Sequence, residues 1–159
     1  ETGKTFKSNS ELKAKYFFQK SKLVTISDDS GLCIECLDDR PGINSARWAK
    51  RLGGFEKAMS KIIKLVENKN KNKNKKNIKA KFVCSLTLYI NLKKKITTIG
   101  TIQGNISSKK LGKNGFGYDS IFIPKGHKLT FGQMGKREKM LIDHRYIAFK
   151  KLKKIINIL

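Results

Sequence analysis

The alternation of apolar and polar positions divides the chain into interleaved helices and strands. Phe6, Ala14, Phe17 and Phe18 give one apolar face, with Lys13 between them, which predicts a helix over 5–22. Leu23-Val24-Thr25-Ile26 and Leu32-Cys33-Ile34 are apolar runs separated by Ser27-Asp28-Asp29-Ser30-Gly31, the pattern of a β-hairpin with a polar turn. Pro41-Gly42 marks another turn, and Ser45-Ala46-Arg47-Trp48 follows. Phe55, Met59, Ile62, Ile63 and Val66 recur at helical spacing and predict an amphipathic helix. That helix ends in a low-complexity Asn/Lys tract, 68–77, which has nothing to bury and reads as a solvated loop. Phe82 to Ile90 alternates as a long strand. Lys93-Lys94-Lys95 makes a turn, and Ile96 to Ile102 returns as the partner strand. Gly100 and Gly104 predict bends or close backbone approach in that return. A glycine-dense loop, Gly112 to Asp119, precedes a strand at Ile121-Phe122-Ile123 and then Pro124. After Thr130 the pattern turns helical, and Asp143 is placed to cap a final helix whose Ala148, Leu152, Ile155, Ile156 and Leu159 face inward.

With 159 residues, the chain reads as one α/β domain long enough to bury a core. It has no apolar run long enough for a bilayer span and no signal peptide, so a soluble, cytoplasmic protein is expected. Three cysteines, an odd number, argue against a disulfide framework. Cys33-Ile34-Glu35-Cys36 has the spacing of half a zinc site, but a strand would turn the two thiols to opposite faces, which favours small buried hydrophobes. Lys and Arg total 36 against 12 acids, a net charge of +24. Such a surplus can mark a nucleic-acid partner. Here Lys dominates, Asn and Ile are abundant, and the lysines are scattered or stacked in one tract, which fits codon bias at tolerant positions; nucleic-acid binding is not expected.

The chemistry centres on Asp28-Asp29. The bland account is a solvated turn, since Asp, Ser and Gly are ordinary turn formers. The sharper one starts from strand alternation, by which only one of the pair faces a given cleft. A carboxylate held at a strand end suits Mg²⁺, which takes one or two carboxylates and shares its remaining positions with water and phosphate. The loop Gly112-Lys113-Asn114-Gly115-Phe116-Gly117-Tyr118-Asp119 lacks the ending of a Walker loop; its two aromatics suit either a base-stacking wall or the core. His144 and Arg145 fall in the first turn of the last helix, where backbone N–H groups also point outward.

In order and spacing these pieces resemble the inosine triphosphate pyrophosphatase family. The resemblance runs from Glu1 to about Ala148. It is carried by Glu1-Thr2-Gly3 with Thr5-Phe6, Lys13-Ala14, Ser27 to Leu32, Pro41-Gly42 and Ser45-Ala46-Arg47. It continues through Gly115 to Asp119, Ile121-Phe122, Pro124, Thr130, Lys139 and His144-Arg145. The resemblance implies Mg²⁺-dependent hydrolysis of ITP, dITP and XTP to the monophosphate and pyrophosphate. By analogy Asp29 is the catalytic carboxylate and a metal ligand, with Glu1 as a second ligand. Lys13 would meet the phosphates and Ser30 would line the pocket. Phe116, Gly117, Tyr118, Asp119, Lys139, His144 and Arg145 would hold the purine and sugar. The family implies a homodimer and an elongated, two-lobed fold, a mixed sheet with helices packed on it and a cleft between the lobes. The chain departs from the family at Ser120, Gln133 and Asp143. It also begins after the place of the family's first strand and phosphate loop, so an N-terminally truncated domain over 1–159 is expected. The alternatives are a basic nucleic-acid-binding module and an inactive relic of the same fold.

Overall fold

The computed structural model describes residues 2–70 and 77–158. Five strands form one sheet in the order β2-β1-β3-β4-β5, and every pairing between them is antiparallel. The α/β class and helices packed on a sheet are as expected. The antiparallel pairing throughout these residues differs from the mixed sheet that the resemblance implied.

The first helix, α1 (Phe6–Ser21), starts at a reciprocal cap in which Thr5 Oγ1 accepts the Ser8 N–H while Ser8 Oγ accepts the Thr5 N–H. Its expected apolar face is buried only in part: Ala14 is buried and Phe18 packs on Tyr89, but Phe17 is exposed, and Asn9 and Ser10 are buried beside Ala14. The reason is the surface below: Ser10 Oγ lies 2.9 Å from Ser85 Oγ and 2.8 Å from Thr87 Oγ1, so this helix meets the sheet through hydroxyls.

The hairpin turn expected at Ser27–Gly31 does not form. Instead β1 (Thr25–Ile34) runs unbroken through it, each residue opposite one of β3 (Ile78–Asn91), with Asp28 opposite Leu86 and Asp29 opposite Ser85. A full ladder to a long partner outweighs the turn preference of Ser, Asp and Gly. The reversal comes after Ile34, at Asp38 and Asp39, both at φ 57°, and returns as the two-residue β2 (Arg40–Pro41). Gly31 therefore makes no bend. A Cβ there would meet the Gly42 carbonyl and sit 2.6 Å from Ser45 Oγ, so its glycine serves close approach.

Short α2 (Ser45–Leu52) leads into α3 (Phe55–Asn70), which buries Ala58, Met59, Ile62 and Val66. Residues 68–70, expected in the solvated tract, extend that helix; 71–76 lie outside the described residues. Strand β4 (Lys94–Ile106) pairs with β3 around a turn at Leu92 and Lys93, and β5 (Phe122–Pro124) forms the far edge. Two helices close the chain, α4 (Lys136–Ile142) and α5 (His144–Ile156). The Asp143 carboxylate caps α5 by accepting the Tyr146 N–H at 2.8 Å. Of its expected inward residues, Ala148 and Leu152 are buried with His144, while Ile155 and Ile156 are exposed. Leu159 lies outside the described residues.

The two faces of the sheet differ. One carries Asp29, Ser85 and Thr87 under α1. The other carries Leu32, Ile34, Phe82 and Phe122, which form the core with α3, and it receives α5. There Thr98 Oγ1 donates to the Ala148 carbonyl at 2.9 Å, and Gly100 leaves room for the His144 carbonyl and the Ala148 N–H. Gly104 likewise admits the Ile123 carbonyl and the Phe122 ring, so both glycines mark close approach and neither bends β4.

Candidate active site

Strand alternation in β1 sends the two adjacent aspartates to opposite faces, and each becomes the centre of its own cluster. On the α1 side Asp29 is 7% exposed. Lys13 Nζ donates to its Oδ1 at 3.2 Å and Asn9 Nδ2 to its Oδ2 at 3.1 Å. Asn9 and Lys13 are four apart on one helix, which places both over the same strand. The Asn9 amide also accepts the Gly3 N–H at 2.9 Å through Oδ1, so one fully buried side chain ties the segment before α1 to the carboxylate. Glu1, the other expected metal ligand, lies outside the described residues.

On the opposite face Asp28 Oδ2 accepts two hydrogen bonds, from Ser30 Oγ at 2.8 Å and from Arg145 Nε at 3.2 Å. Arg145 Cζ stands 5.1 Å from the centre of the Phe116 ring, and Lys139 Nζ stands 4.9 Å from it. Lys139 is itself buried and donates to Asp119 Oδ2 at 2.6 Å. The same oxygen accepts the Phe116 N–H at 2.8 Å, and the loop wraps tightly enough that a Cβ on Gly115, at φ 75°, would strike this carboxylate. The glycine-dense loop is thus folded around a carboxylate pinned by a lysine, which leaves Phe116 63% exposed at its tip.

His144 is 2% exposed and stacks on Phe82, with ring centres 4.8 Å apart. Burial, and then the charges of Arg145 and Lys139, push its pKa down to about 3, so the imidazole is neutral at pH 7. Its Nε2 lies 3.3 Å from Arg145 Nη1. Arginine only donates, so Nε2 must accept and the imidazole proton sits on Nδ1, a tautomer assigned from the hydrogen-bond network. Nδ1 is buried and has no hydrogen-bond partner among the described residues. A buried donor in that state is suited to an acceptor brought by a ligand.

The structure divides the expected site residues. Ser30, Phe116, Asp119, Lys139, His144 and Arg145 come together on one face, and Lys13 joins Asp29 on the other. Tyr118 and Phe116 separate across Gly117. Tyr118 is 2% exposed, its hydroxyl donates to the Ser45 carbonyl at 2.9 Å, and burial pushes its pKa up to about 12. Its ring packs edge-on against Phe55 and belongs to the core, so of these two aromatics Phe116 is the one with an exposed ring. Asn9 was missed from the sequence, where its spacing from Lys13 was the available signal; Asp28 was singled out with Asp29, but its place in the second cluster was not read. Two cavities of about 610 and 620 Å³ open around Lys79, and neither includes any of these residues.

As a metal site the first cluster offers, among the described residues, the carboxylate of Asp29; a hard carboxylate of this kind is a ligand Mg²⁺ takes, with water and substrate phosphates completing its shell.

A family model described as the Ham1 family matches residues 1–155. A dITP/XTP pyrophosphatase of Zymomonas mobilis is 40% identical over 152 residues, covering 96% of this chain and 71% of the relative. One from Campylobacter jejuni is 41% identical over 165 residues, covering 100% of this chain and 80% of the relative. Among solved structures, a HAM1 protein from Coxiella burnetii superposes with a TM-score of 0.88 at 31% identity, over 100% of this chain and 80% of that one. The Staphylococcus aureus Ham1 protein gives 0.82 at 35% identity, over 99% and 79%.

Proposed function

The chain belongs to the Ham1 family, and from that premise we propose that it hydrolyses noncanonical purine nucleoside triphosphates (ITP, dITP and XTP) to the monophosphate and pyrophosphate. The observation that carries the reading is the division of labour in β1. Asp29 lies between a lysine and an amide donor on one face, and the next residue back is tied on the other to an arginine beside an exposed aromatic ring.

In this reading the triphosphate meets the Asp29 side. Asp29 accepts a proton from the attacking water while a new oxygen–phosphorus bond forms at the α-phosphate and the bond to the β-phosphate oxygen breaks, releasing pyrophosphate. Lys13 offsets charge on the phosphates, and such transfers depend on positioning and charge neutralisation more than on covalent chemistry. Mg²⁺, held by Asp29 with Glu1 as the second expected ligand, would acidify the water and neutralise phosphate charge when bound. Phe116 supplies the face on which the purine stacks. The neutral His144 offers its Nδ1 proton to an acceptor, and Arg145 adds donors beside it. A 6-oxo purine presents an acceptor at that edge. The 6-amino group of adenine presents donors, and unmatched buried donors are costly.

The proposal extends to a cytoplasmic homodimer. Its support is three free thiols and the exposed apolar side chains of Tyr16, Phe17, Leu23 and Val24 at the end of α1. Among the described residues no helix is long and apolar enough to cross a membrane. The partner is the nucleotide, and the lysine surplus needs no nucleic acid.

The test is pyrophosphate release from ITP and dITP with Mg²⁺, comparing the protein with Asp29→Asn. Loss of the proton acceptor should lower kcat by roughly 10²–10⁴-fold, with little change in melting temperature. A variant that turns over at the parental rate would remove Asp29 from the chemistry.

A further inference from the structure

Asp28 is a half-exposed carboxylate with two side-chain donors. It neighbours Asp29 in sequence but faces the base-binding cluster, and it accepts from two side chains of that cluster through one oxygen. We infer that Asp28 is a positioning residue for purine selection, acting through Arg145 and Ser30; this rests on the nucleotide reading above.

Three observations support it. The Asp28–Arg145 pair is half-exposed, with 39% of each side chain accessible, and exposed pairs of this kind stabilise a fold little. The fold therefore has small need of the charge. Second, Arg145 is fixed from three sides: Asp28 at Nε, His144 Nε2 near Nη1, and the Phe116 ring 5.1 Å from Cζ. Among the described residues Asp28 is the carboxylate paired with it, and engaging Nε orients the planar fork while leaving other N–H donors for a ligand. Third, Ser30 has one hydroxyl proton and gives it to Asp28. Towards a nucleotide Ser30 is therefore an acceptor, suited to a sugar hydroxyl or a water and unsuited to donating to a phosphate oxygen. One carboxylate thus sets both the direction of the arginine and the polarity of the serine.

The consequence is a separation of effects along β1. Changes at Asp29 act on turnover, and changes at Asp28 act on which base is taken. The experiment compares Asp28→Asn and Asp28→Ala with the parent for kcat and KM on dITP and dATP. Releasing Arg145 should raise KM for dITP by about tenfold, with a smaller change in kcat, and narrow the dITP/dATP ratio of kcat/KM to a similar extent. With Arg145→Ala already present, Asp28→Ala should narrow the dITP/dATP ratio little further, because its effect on the base travels through that side chain. A merely structural role would lower the melting temperature and scale both substrates alike. An unchanged ratio, or additive effects in the double variant, overturns the inference. Calorimetric binding of inosine and adenosine monophosphates, which needs no hydrolysis, gives a second readout. If the parent hydrolyses neither triphosphate, the functional reading fails, and the binding arm still decides. Selective loss of inosine monophosphate affinity in Asp28→Ala supports the positioning role, and equal loss of both ligands refutes it.

Discussion

Replacing Lys139 with methionine should be among the most damaging single changes near the candidate site. Lys139 is 9% exposed and Asp119 is 4% exposed, and their charged atoms lie 2.6 Å apart. Methionine keeps much of the aliphatic stem against Phe131 and Phe116 and removes only the ammonium. What remains is a buried carboxylate with the Phe116 N–H as its one described hydrogen-bond donor. Breaking one side of a buried pair costs about 3–5 kcal/mol, because the surviving charge has no compensation. In a domain of this length each kcal/mol moves the melting temperature by about 2–4 °C, so a fall of roughly 6–20 °C is expected. Urea titration of the parent, Lys139→Met, Asp119→Asn and the double variant measures the terms. The double variant should recover most of the loss, since a neutral amide tolerates burial where a carboxylate does not. A Lys139→Met protein within 1 kcal/mol of the parent, or a double variant no better than the single, would refute the reasoning.

His144 predicts an acid limb in stability. Its imidazole titrates at about 3 when folded and near its ordinary 6.5 when released, so below pH 6.5 the unfolded chain takes up a proton that the folded chain refuses. The stability His144 allows is fully present above pH 6.5 and falls as the pH drops towards 3, by up to about 1.4 kcal/mol per pH unit. Subtracting the urea stability of His144→Gln from that of the parent should give a flat line above pH 7 and a decline below it; parallel curves would remove the burial argument. Gly100→Ala places a methyl against the His144 carbonyl and the Ala148 N–H, both backbone, so α5 must shift. Overpacking of this kind costs about 1–3 kcal/mol, read as a lower urea midpoint at constant slope, and an unaffected midpoint would mean that α5 is free to yield.

The core helix α3 was legible because it buries one face, and the long β3–β4 pair because its apolar residues alternate, although both faces of β3 are covered. Met59, Ile62 and Val66 repeat at helical spacing, and Phe82, Cys84 and Leu86 repeat every second residue. The first helix was misread in part because Ser85 and Thr87 line the sheet beneath Ser10, so polar residues take buried places that an apolar pattern does not mark. The stretch Ser27–Gly31 looks like a turn to any local rule. It is a strand because residues more than fifty positions away, Val83 to Thr87, supply its ladder, and no local pattern reports that partner. The residues of the candidate site were named through resemblance to a family, and alternation separated the two aspartates, but which residues join each of them was not legible. That assignment needs the register of β1 on β3. Asn9, with one bond to a carboxylate and one to a backbone N–H, is an ordinary polar position in a helix until the fold is known.

The place of β1 in the chain has a consequence for synthesis. It ends at Ile34, whereas the strand that pairs along its whole length ends at Asn91, with α2 and α3 encoded between them. At translation rates of about 5–20 residues per second, β1 leaves the ribosome roughly 3–11 s before its partner is complete. During that interval its backbone groups are an open edge preceded by Leu23 and Val24 and carrying Ile26, the kind of segment that pairs with copies of itself on neighbouring nascent chains. Two adjacent negative charges and a glycine interrupt the segment, and charges within a strand oppose self-pairing. The two aspartates that centre the two clusters of the finished protein thus also protect the strand that carries them while it waits.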